Sequence, residues 1–422
     1  MNYLHILCPP VWEKLPSLGP AYLLSYLRGY NINTFFVDLN NIAFNLASLE
    51  MKRSWTINRT FTGNFLFEYC FKDHFEIFEK VIETIDKNKI NFVGFSVFNT
   101  NRFFAIEMAR FLKKNFKKVK IIFGGPEVLT IKFEGYRYPD FVDYFVMGEG
   151  EIALKKIITE DPLENIFEFE EQKDINFFPD FSDVDLNDYP RKNALPVIFG
   201  RGCVNKCNFC SERLLYKYYR HKDENFFIDE LLYYKEKFGI EWITFYDSML
   251  NANIKSFEKV LDLMIERRLN LKWDAQIAIR NDMCDEIFFK MKEAGCINLF
   301  IGLESGSDNI LSKMNKNFTT EIAKSFFKKL KGANLHFEIS LIIGYPDETE
   351  KDFRKTLSFI EENMELIPKI AQVSIFRNYP GITARRTTEY EEKESMKKLE
   401  FFVNFLENKK IPFTRSYINN LI

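Results

Sequence analysis

Two series of short apolar segments, each alternating with helical periodicity, constrain this chain more than any other feature. Over residues 1–155 the segments YLHILCPP, NTFFVDL, NFVGFSVF, VKIIFGG and VDYFVMG read as five buried strands. Each is short, rich in branched and aromatic side chains, and bounded by Gly, Pro or Asn. Between them Phe75, Phe78, Ile82 and Ile85 fall on one helical face, as do Ala105, Ala109, Leu112 and Phe116. Strand–helix alternation of this kind predicts an α/β fold: a parallel, doubly wound, Rossmann-like sheet covered on both faces. Ligands of such sheets sit beyond the carboxyl ends of the strands. That singles out CPPVWEKLPSLGP, the stretch Ser96–Asn101, GGPEV at 124–128 and GEGE at 148–151.

Residues 156–192 are acidic, lack steady periodicity and carry Pro162, Pro179 and Pro190, so they are expected to form a linker whose aromatics drape it over the surface. A second series follows over 193–384, with strands PVIFG, EWITFYD, LKWDAQIA, INLFIGLE, HFEISLIIG and QVSIF. Helices are expected near 223–238, 254–267, 285–294, 319–332 and 350–363. Six such units predict a partial, open (β/α)6 barrel with its site at the strands' carboxyl ends. Residues 385–422 read as an amphipathic helix and a short tail.

Composition narrows the function. A formal net charge of −2 over 422 residues gives no global positive field to recruit nucleic acid or anionic lipid. No apolar run is long enough to span a bilayer, and MNYLHILCPP lacks the basic start and cleavage site of a signal peptide, so a cytoplasmic protein is expected. Seven unevenly spaced cysteines fit a reduced compartment better than a disulfide framework.

Three of those cysteines, Cys203, Cys207 and Cys210, lie inside RGCVNKCNFC, directly after the first strand of the second series. Thiolates in a C-x3-C-x2-C spacing on a turn can converge on one soft metal centre. Unrelated buried thiols are the bland alternative. Structural zinc is the sharper rival, but it wants four ligands, and the nearby candidate is His221 in an expected helix. An iron–sulfur cube held by three thiolates keeps one iron free of protein, which suits a substrate site, whereas electron-transfer clusters are normally held by four.

With this motif in this place, the chain resembles the radical S-adenosylmethionine superfamily over roughly residues 194–384. The resemblance implies a 4Fe–4S cluster on the three cysteines and S-adenosylmethionine chelated to the open iron. It assigns Phe209 to the adenine and Asp247 of TFYDSMLN to the methionine amino group, with an ordinary strand-end helix cap as the competing reading of Asp247. Arg280 of QIAIR could pair the carboxylate, with a surface salt bridge as the competing reading. IGLESGSDNILSKMNK at 301–316 is close to a family signature, in which Glu304 and Ser305 are candidates for ribose or amino contacts and Ser307 caps the next helix. IIGYPDETEKDF resembles a family turn, with structural roles for Pro346, Glu348 and Thr349 and a ribose role for Ser340. The chain departs from the family at NYPGITARR, where Ile382 interrupts the usual Pro-Gly-Thr turn.

The first domain resembles the cobalamin-binding module of one branch of the superfamily. Gly124 and Gly125 permit close approach of a bulky ligand, and Ser96 offers a hydroxyl to its nucleotide tail; a tight turn and a cap are the structural alternatives. The Asp-x-His-x-x-Gly motif that gives cobalt a histidine is absent, and His5 lies within the first strand. The resemblance implies reductive cleavage of S-adenosylmethionine to a 5′-deoxyadenosyl radical, then methyl transfer from methylcobalamin to an unactivated carbon of a small-molecule or peptide substrate. An external reductant such as flavodoxin or ferredoxin would supply the electron, and neither nucleic acid nor a membrane span is expected. Cyclisation, rearrangement or epimerisation is the alternative. In epimerisation Cys284 or Cys296 could donate hydrogen, although buried core is the simpler reading of both. A zinc- or cluster-binding structural or sensor protein without turnover remains the alternative of another class.

Overall fold

The computed structural model describes residues 1–53, 55 and 64–414. The chain divides into two compact units, Met1–Pro196 with Leu214–Lys217, and Val197–Arg213 with Tyr218–Ile422.

The first unit contains β1 (Asn2–Leu7), β2 (Asn33–Asp38), β3 (Phe92–Ser96), β4 (Lys120–Gly124), β5 (Tyr144–Met147) and β6 (Ile166–Glu168). They pair in parallel in the order β2-β1-β3-β4-β5-β6. Because β1 lies between β2 and β3, consecutive crossovers leave in opposite directions there, opening a crevice at the carboxyl ends of β1 and β3. Alternate β1 side chains serve two cores: Leu4 and Ile6 pack with Val93, Phe95 and Phe123, and Tyr3 with Leu24, Leu27 and Ile157.

Two local readings are corrected here. The helix Glu76–Asn88 buries Ile77, Phe78, Val81 and Ile85. Phe75 precedes it as an exposed residue and Ile82 is half-buried, so the buried stripe is rotated from the expected one. The segment expected to start as a linker at 156 first completes the helix Glu151–Glu160 and then supplies the sixth strand. Its later aromatics Phe181 and Tyr189 are buried, and the Arg28 guanidinium ion-pairs with Asp180 and Asp183 of the same stretch.

The second unit is built on β7 (Ala194–Val197), a two-residue ribbon of β8 (Gly200–Arg201) and β9 (Arg220–His221), and β10 (Trp242–Phe245). It continues with β11 (Lys272–Ile277), β12 (Cys296–Glu304), β13 (Phe337–Ile343) and β14 (Ile370–Ile375). The large sheet is a six-stranded open array in the order β14-β13-β12-β11-β10-β7. His221 therefore lies in a strand, ahead of the helix Glu224–Phe238, and not in the expected helix. Polar N-caps start several connecting helices: Asp223, Asn253, Thr319 and Thr349 each accept a backbone N–H of the first turn. The helix Glu389–Asn408 opens with a Thr388–Glu391 capping box. The end of the expected extension, 415–422, lies outside the described residues. Among the described residues no helix is long and apolar enough to cross a membrane.

Candidate active site at the cysteine loop

The cysteine loop leaves β8 and is tied down on both flanks. On one side the Asp247 carboxylate, just beyond β10, accepts the backbone N–H of Phe199 at 2.9 Å and of Gly200 at 2.6 Å. Asp247 is buried, and burial raises its pKa to about 7 against the lowering effect of those two donors and of Lys222. Its carboxylate thus holds the strand entering the loop; it neither caps a helix nor lines the cysteine cavity. Beneath it the Lys222 ammonium pairs with the Glu230 carboxylate, both fully buried. On the other flank Asn208 donates through its backbone N–H to Met314 at 3.0 Å and through its side chain to Lys313 at 2.8 Å. Asn315 donates to the carbonyl of Lys206 at 2.7 Å, and Thr383 and Ala384 donate to the carbonyl of Asn208 at 3.1 and 2.9 Å.

Held in this way, Cys203, Cys207 and Cys210 line one cavity of about 350 Å³, together with Glu304, Lys316 and Arg280. All three thiols are half-buried and free. Burial is the main cause that raises their pKa values, Cys210 to about 11; neighbouring cysteines add to it for Cys203 and Cys210 and Glu304 for Cys207, while the Lys316 ammonium pulls Cys203 and Cys207 down. Three cysteines on one cavity wall whose thiols resist ionising without a cation are a fitting donor set for a soft, cationic centre, since metal binding deprotonates thiols. Among the described residues no set of three His, Cys, Asp or Glu side chains stands in a closed ion-holding arrangement. The fit therefore rests on the donor set and the shared cavity. His221 is no fourth ligand: its Nδ1 bonds the Lys222 carbonyl at 2.8 Å and its Nε2 faces Asn253 and Ser256 at 3.3 and 3.4 Å.

Opposite the thiols, Glu304 ends β12 at φ +68 and is buried. Its side chain folds back over Gly302, where a Cβ would stand 2.2 Å from Oε1. The Lys316 ammonium sits 3.3 Å from that oxygen and 5.6 Å from the centre of the Phe209 ring. Phe209 lines the same cavity. Lys316 was not singled out from the sequence, although it closes the quoted 301–316 stretch. Arg280 reaches the rim but is engaged on every side, with Asp282 at 2.6 and 2.9 Å and with the carbonyls of Asn251 and Ala252 at 3.0 and 2.8 Å. Ser340 stands behind the site, donating to Glu304 at 3.4 Å.

Two serines depart from expectation. Ser305 points away from the cavity: its Oγ accepts the N–H of Ser307 at 3.1 Å and meets the Thr356 hydroxyl at 3.2 Å. Ser307 occupies an N-cap position, but its hydroxyl donates to Asp352 at 2.7 Å instead of accepting from the helix. The same Asp352 completes a capping box with Thr349, and Glu348 accepts the Gly344 N–H and pairs with Lys398. Cys296 is buried at the start of β12, whereas Cys284, also read as core, is exposed.

In the first unit Ser96 and Gly124 are register partners at the carboxyl ends of β3 and β4. Gly125 has φ +97, and a Cβ there would stand 2.7 Å from the Val97 carbonyl oxygen, so a tight turn demands glycine. Gly124 has only ordinary contacts, at 3.8 Å, on the side a Cβ would occupy. The fully buried Asn101 donates to the carbonyls of Cys8 and Ser96, each at 3.0 Å, and stitches the two lips of the β1/β3 crevice. Nothing in its local sequence signalled that. An open edge with a half-buried hydroxyl beside a glycine turn fits a large polar ligand such as a corrinoid, and His5, buried inside β1, is not placed to ligate its metal.

A doubly wound sheet and an open parallel barrel bearing a three-thiol loop define a two-module redox-cofactor protein. Residues 197–360 match the family model of the Radical SAM superfamily, and residues 66–158 match the B12 binding domain. The chain thus carries a radical SAM domain, preceded in the sequence by a B12-binding domain. An uncharacterised methyltransferase of Pyrococcus horikoshii is 27% identical over 327 residues, covering 72% of this chain and 70% of that protein. The fold is shared with TsrM of Kitasatospora setae, a radical S-adenosylmethionine methyltransferase solved with cobalamin and a 4Fe–4S cluster, at TM-score 0.67 and 16% identity, covering 90% of this chain and 77% of that one. It is shared too with OxsB, a cobalamin-dependent S-adenosylmethionine radical enzyme, at TM-score 0.64 and 15% identity, covering 96% and 56%.

Proposed function

We propose that this chain is a cobalamin-dependent radical S-adenosylmethionine methyltransferase acting on an unactivated carbon of a small molecule. The observation that carries the reading is the cavity in which three thiols face a carboxylate and an ammonium, and not a fourth thiol. When bound, the cluster, S-adenosylmethionine and methylcobalamin supply the electron, the hydrogen-abstracting radical and the methyl group. Asp247 and Asn208 hold the two flanks of the cysteine loop and keep its three thiols on one cavity. Glu304 and Lys316 present opposite charges side by side, as an amino-acid zwitterion requires, and would exchange their mutual pair for its ammonium and carboxylate. Phe209 shields that exchange from water. Arg280, saturated by its own partners, shapes the rim. Ser96 and the Gly124–Gly125 turn would hold the corrinoid at the other unit.

The methyltransferase relative and the fold shared with TsrM support this reading. Cyclisation or rearrangement with the same cofactors is the second one. Epimerisation through a protein thiol lacks support, because neither Cys284 nor Cys296 lines the cavity. A cytoplasmic setting and a flavodoxin- or ferredoxin-type donor belong to the same proposal, which the seven free cysteines support.

The experiment is anaerobic reconstitution with iron and sulfide. The protein should gain broad visible absorbance that Cys207→Ala loses, form 5′-deoxyadenosine with dithionite, and carry hydroxocobalamin through gel filtration. Stoichiometric zinc with no iron uptake would end the radical reading. A functional cluster without cobalamin retention would leave the second one.

A further inference from the structure

Three polar groups in the first unit form a chain that ends at the β1/β3 crevice. The Tyr3 hydroxyl lies 2.8 Å from His5 Nδ1, and His5 Nε2 lies 3.1 Å from Ser96 Oγ. Tyr3 and His5 project from the same face of β1, two residues apart, as strand periodicity requires. Gly94, the register partner of His5, makes room for the tyrosine: a Cβ there would stand 2.0 Å from its hydroxyl.

The direction of these hydrogen bonds follows from counting acceptors. Tyr3 is fully buried, and among the described residues its hydroxyl has the single partner His5 Nδ1. A buried hydroxyl left without an acceptor is costly, so Tyr3 donates its proton to Nδ1. Nδ1 is then the acceptor nitrogen, and the ring proton sits on Nε2, which donates to Ser96 Oγ. The imidazole stays neutral, because burial depresses its pKa to about 3. Ser96 receives a hydrogen bond from inside the protein and keeps its own O–H for the crevice; among the described residues that hydroxyl has no other partner.

We infer that the Tyr3–His5–Ser96 chain fixes Ser96 as a hydrogen-bond donor, so that the ligand of the first unit must present an acceptor oxygen or nitrogen at the β1/β3 crevice. The inference rests on the cobalamin reading for the identity of that ligand. A corrinoid offers such acceptors in two places, its nucleotide tail and its ring-side amide carbonyls. His5 and Tyr3 act through Ser96 and are positioning residues.

The test has two arms. In the first, nitrogen-15 imidazole spectra of the folded protein without added corrinoid, with His5→Gln identifying one of only four histidines, should show His5 protonated on Nε2 and untitrated down to about pH 4. An Nδ1-protonated or charged ring would overturn the inference. In the second, hydroxocobalamin affinity is measured by equilibrium dialysis. Ser96→Ala should lose about tenfold, the size of one hydrogen bond. Tyr3→Phe, which frees the ring to change tautomer and accept from Ser96, should lose about threefold. His5→Gln, whose amide can accept from Tyr3 and donate to Ser96, should retain most of the affinity. Cobinamide, which lacks the nucleotide tail, identifies the acceptor. Indifference of cobinamide to Ser96→Ala places it in the tail, and a parallel loss places it on the ring. Should the wild-type protein bind no corrinoid, the cobalamin reading fails while the spectra still judge the relay. Should it bind, with Ser96→Ala and Tyr3→Phe unchanged in affinity, the donor assignment is wrong.

Discussion

Lys222→Met should be among the most damaging single changes in the second unit, and the reason lies in what it leaves behind. Lys222 and Glu230 are both wholly removed from solvent and pair with one another. Desolvation is the largest influence on each, lowering the lysine pKa and raising the glutamate pKa, and their mutual attraction opposes it. Removing one partner of such a pair costs about 3–5 kcal/mol, because an uncompensated charge stays buried. Replacing both with apolar side chains of similar volume is often neutral or stabilising. Lys222→Met should therefore move the urea midpoint of the second unit down by about 2 M, taking a slope of about 2 kcal/mol per M. Lys222→Met/Glu230→Met should recover most of that, giving a coupling above about 2 kcal/mol in the double-mutant cycle. Lys222 also attracts Asp247 and is repelled by Arg201, so recovery should be incomplete where Asp247 is ionised. The assay is urea unfolding followed by fluorescence and circular dichroism. Additive losses, with the double variant worse than either single one, would refute the reasoning that the pair is costly only when broken.

The lysine also donates its backbone N–H to Phe199, whose own N–H is held by Asp247, so the same axis carries a pH prediction. The folded pKa of Asp247, about 7, lies above the 3.8 of a free aspartate, so the native state binds the extra proton between those values. Its stabilising effect is complete below pH 3.8 and lost as pH rises through 7; relative to Asp247→Asn, wild-type stability should fall by about 4 kcal/mol across that window. Parallel stability curves for the two proteins would count against it. Gly125→Ala, at φ +97 and with its Cβ 2.7 Å from the Val97 carbonyl oxygen, should destabilise the first unit by about 1–3 kcal/mol. Gly124→Ala, with nearest contacts at 3.8 Å, should cost well under half of that, and equal costs in thermal melts would show the turn is not glycine-dependent.

Much of the architecture was legible because its signals are local. Ten of the strands carried their own apolar pattern and boundary residues close to where they form, and PVIFG marked β7 to within three residues. Glu76–Asn88 shows the limit of that signal. A stripe through Phe75 and Ile82 satisfies helical spacing as well as one through Ile77 and Val81, and only packing against the sheet chooses the rotation. The three-residue β6 carries too few residues to announce a period, and it exists because the edge of β5 was available to pair.

The site divides along the same line. Spacing alone put three thiols on one short loop, within the eight positions 203–210. What stands opposite them, and what holds their loop, depended on chain tens of residues to more than a hundred residues away. Lys316 faces Cys207 across 109 positions, Glu304 reaches the cavity and Ser305 does not because the backbone turns at φ +68, and Asp247 spends both oxygens on the strand beneath the loop. By itself, then, the amino-acid order determined two strand–helix modules and a three-sulfur donor set. Tertiary structure alone decided which charges meet those sulfurs and which way the hydrogen bonds of Tyr3, His5 and Ser96 run. Periodicity encodes a residue's own conformation, whereas partners and proton directions are set by register between strands and by burial, which exist only once the sheets have closed.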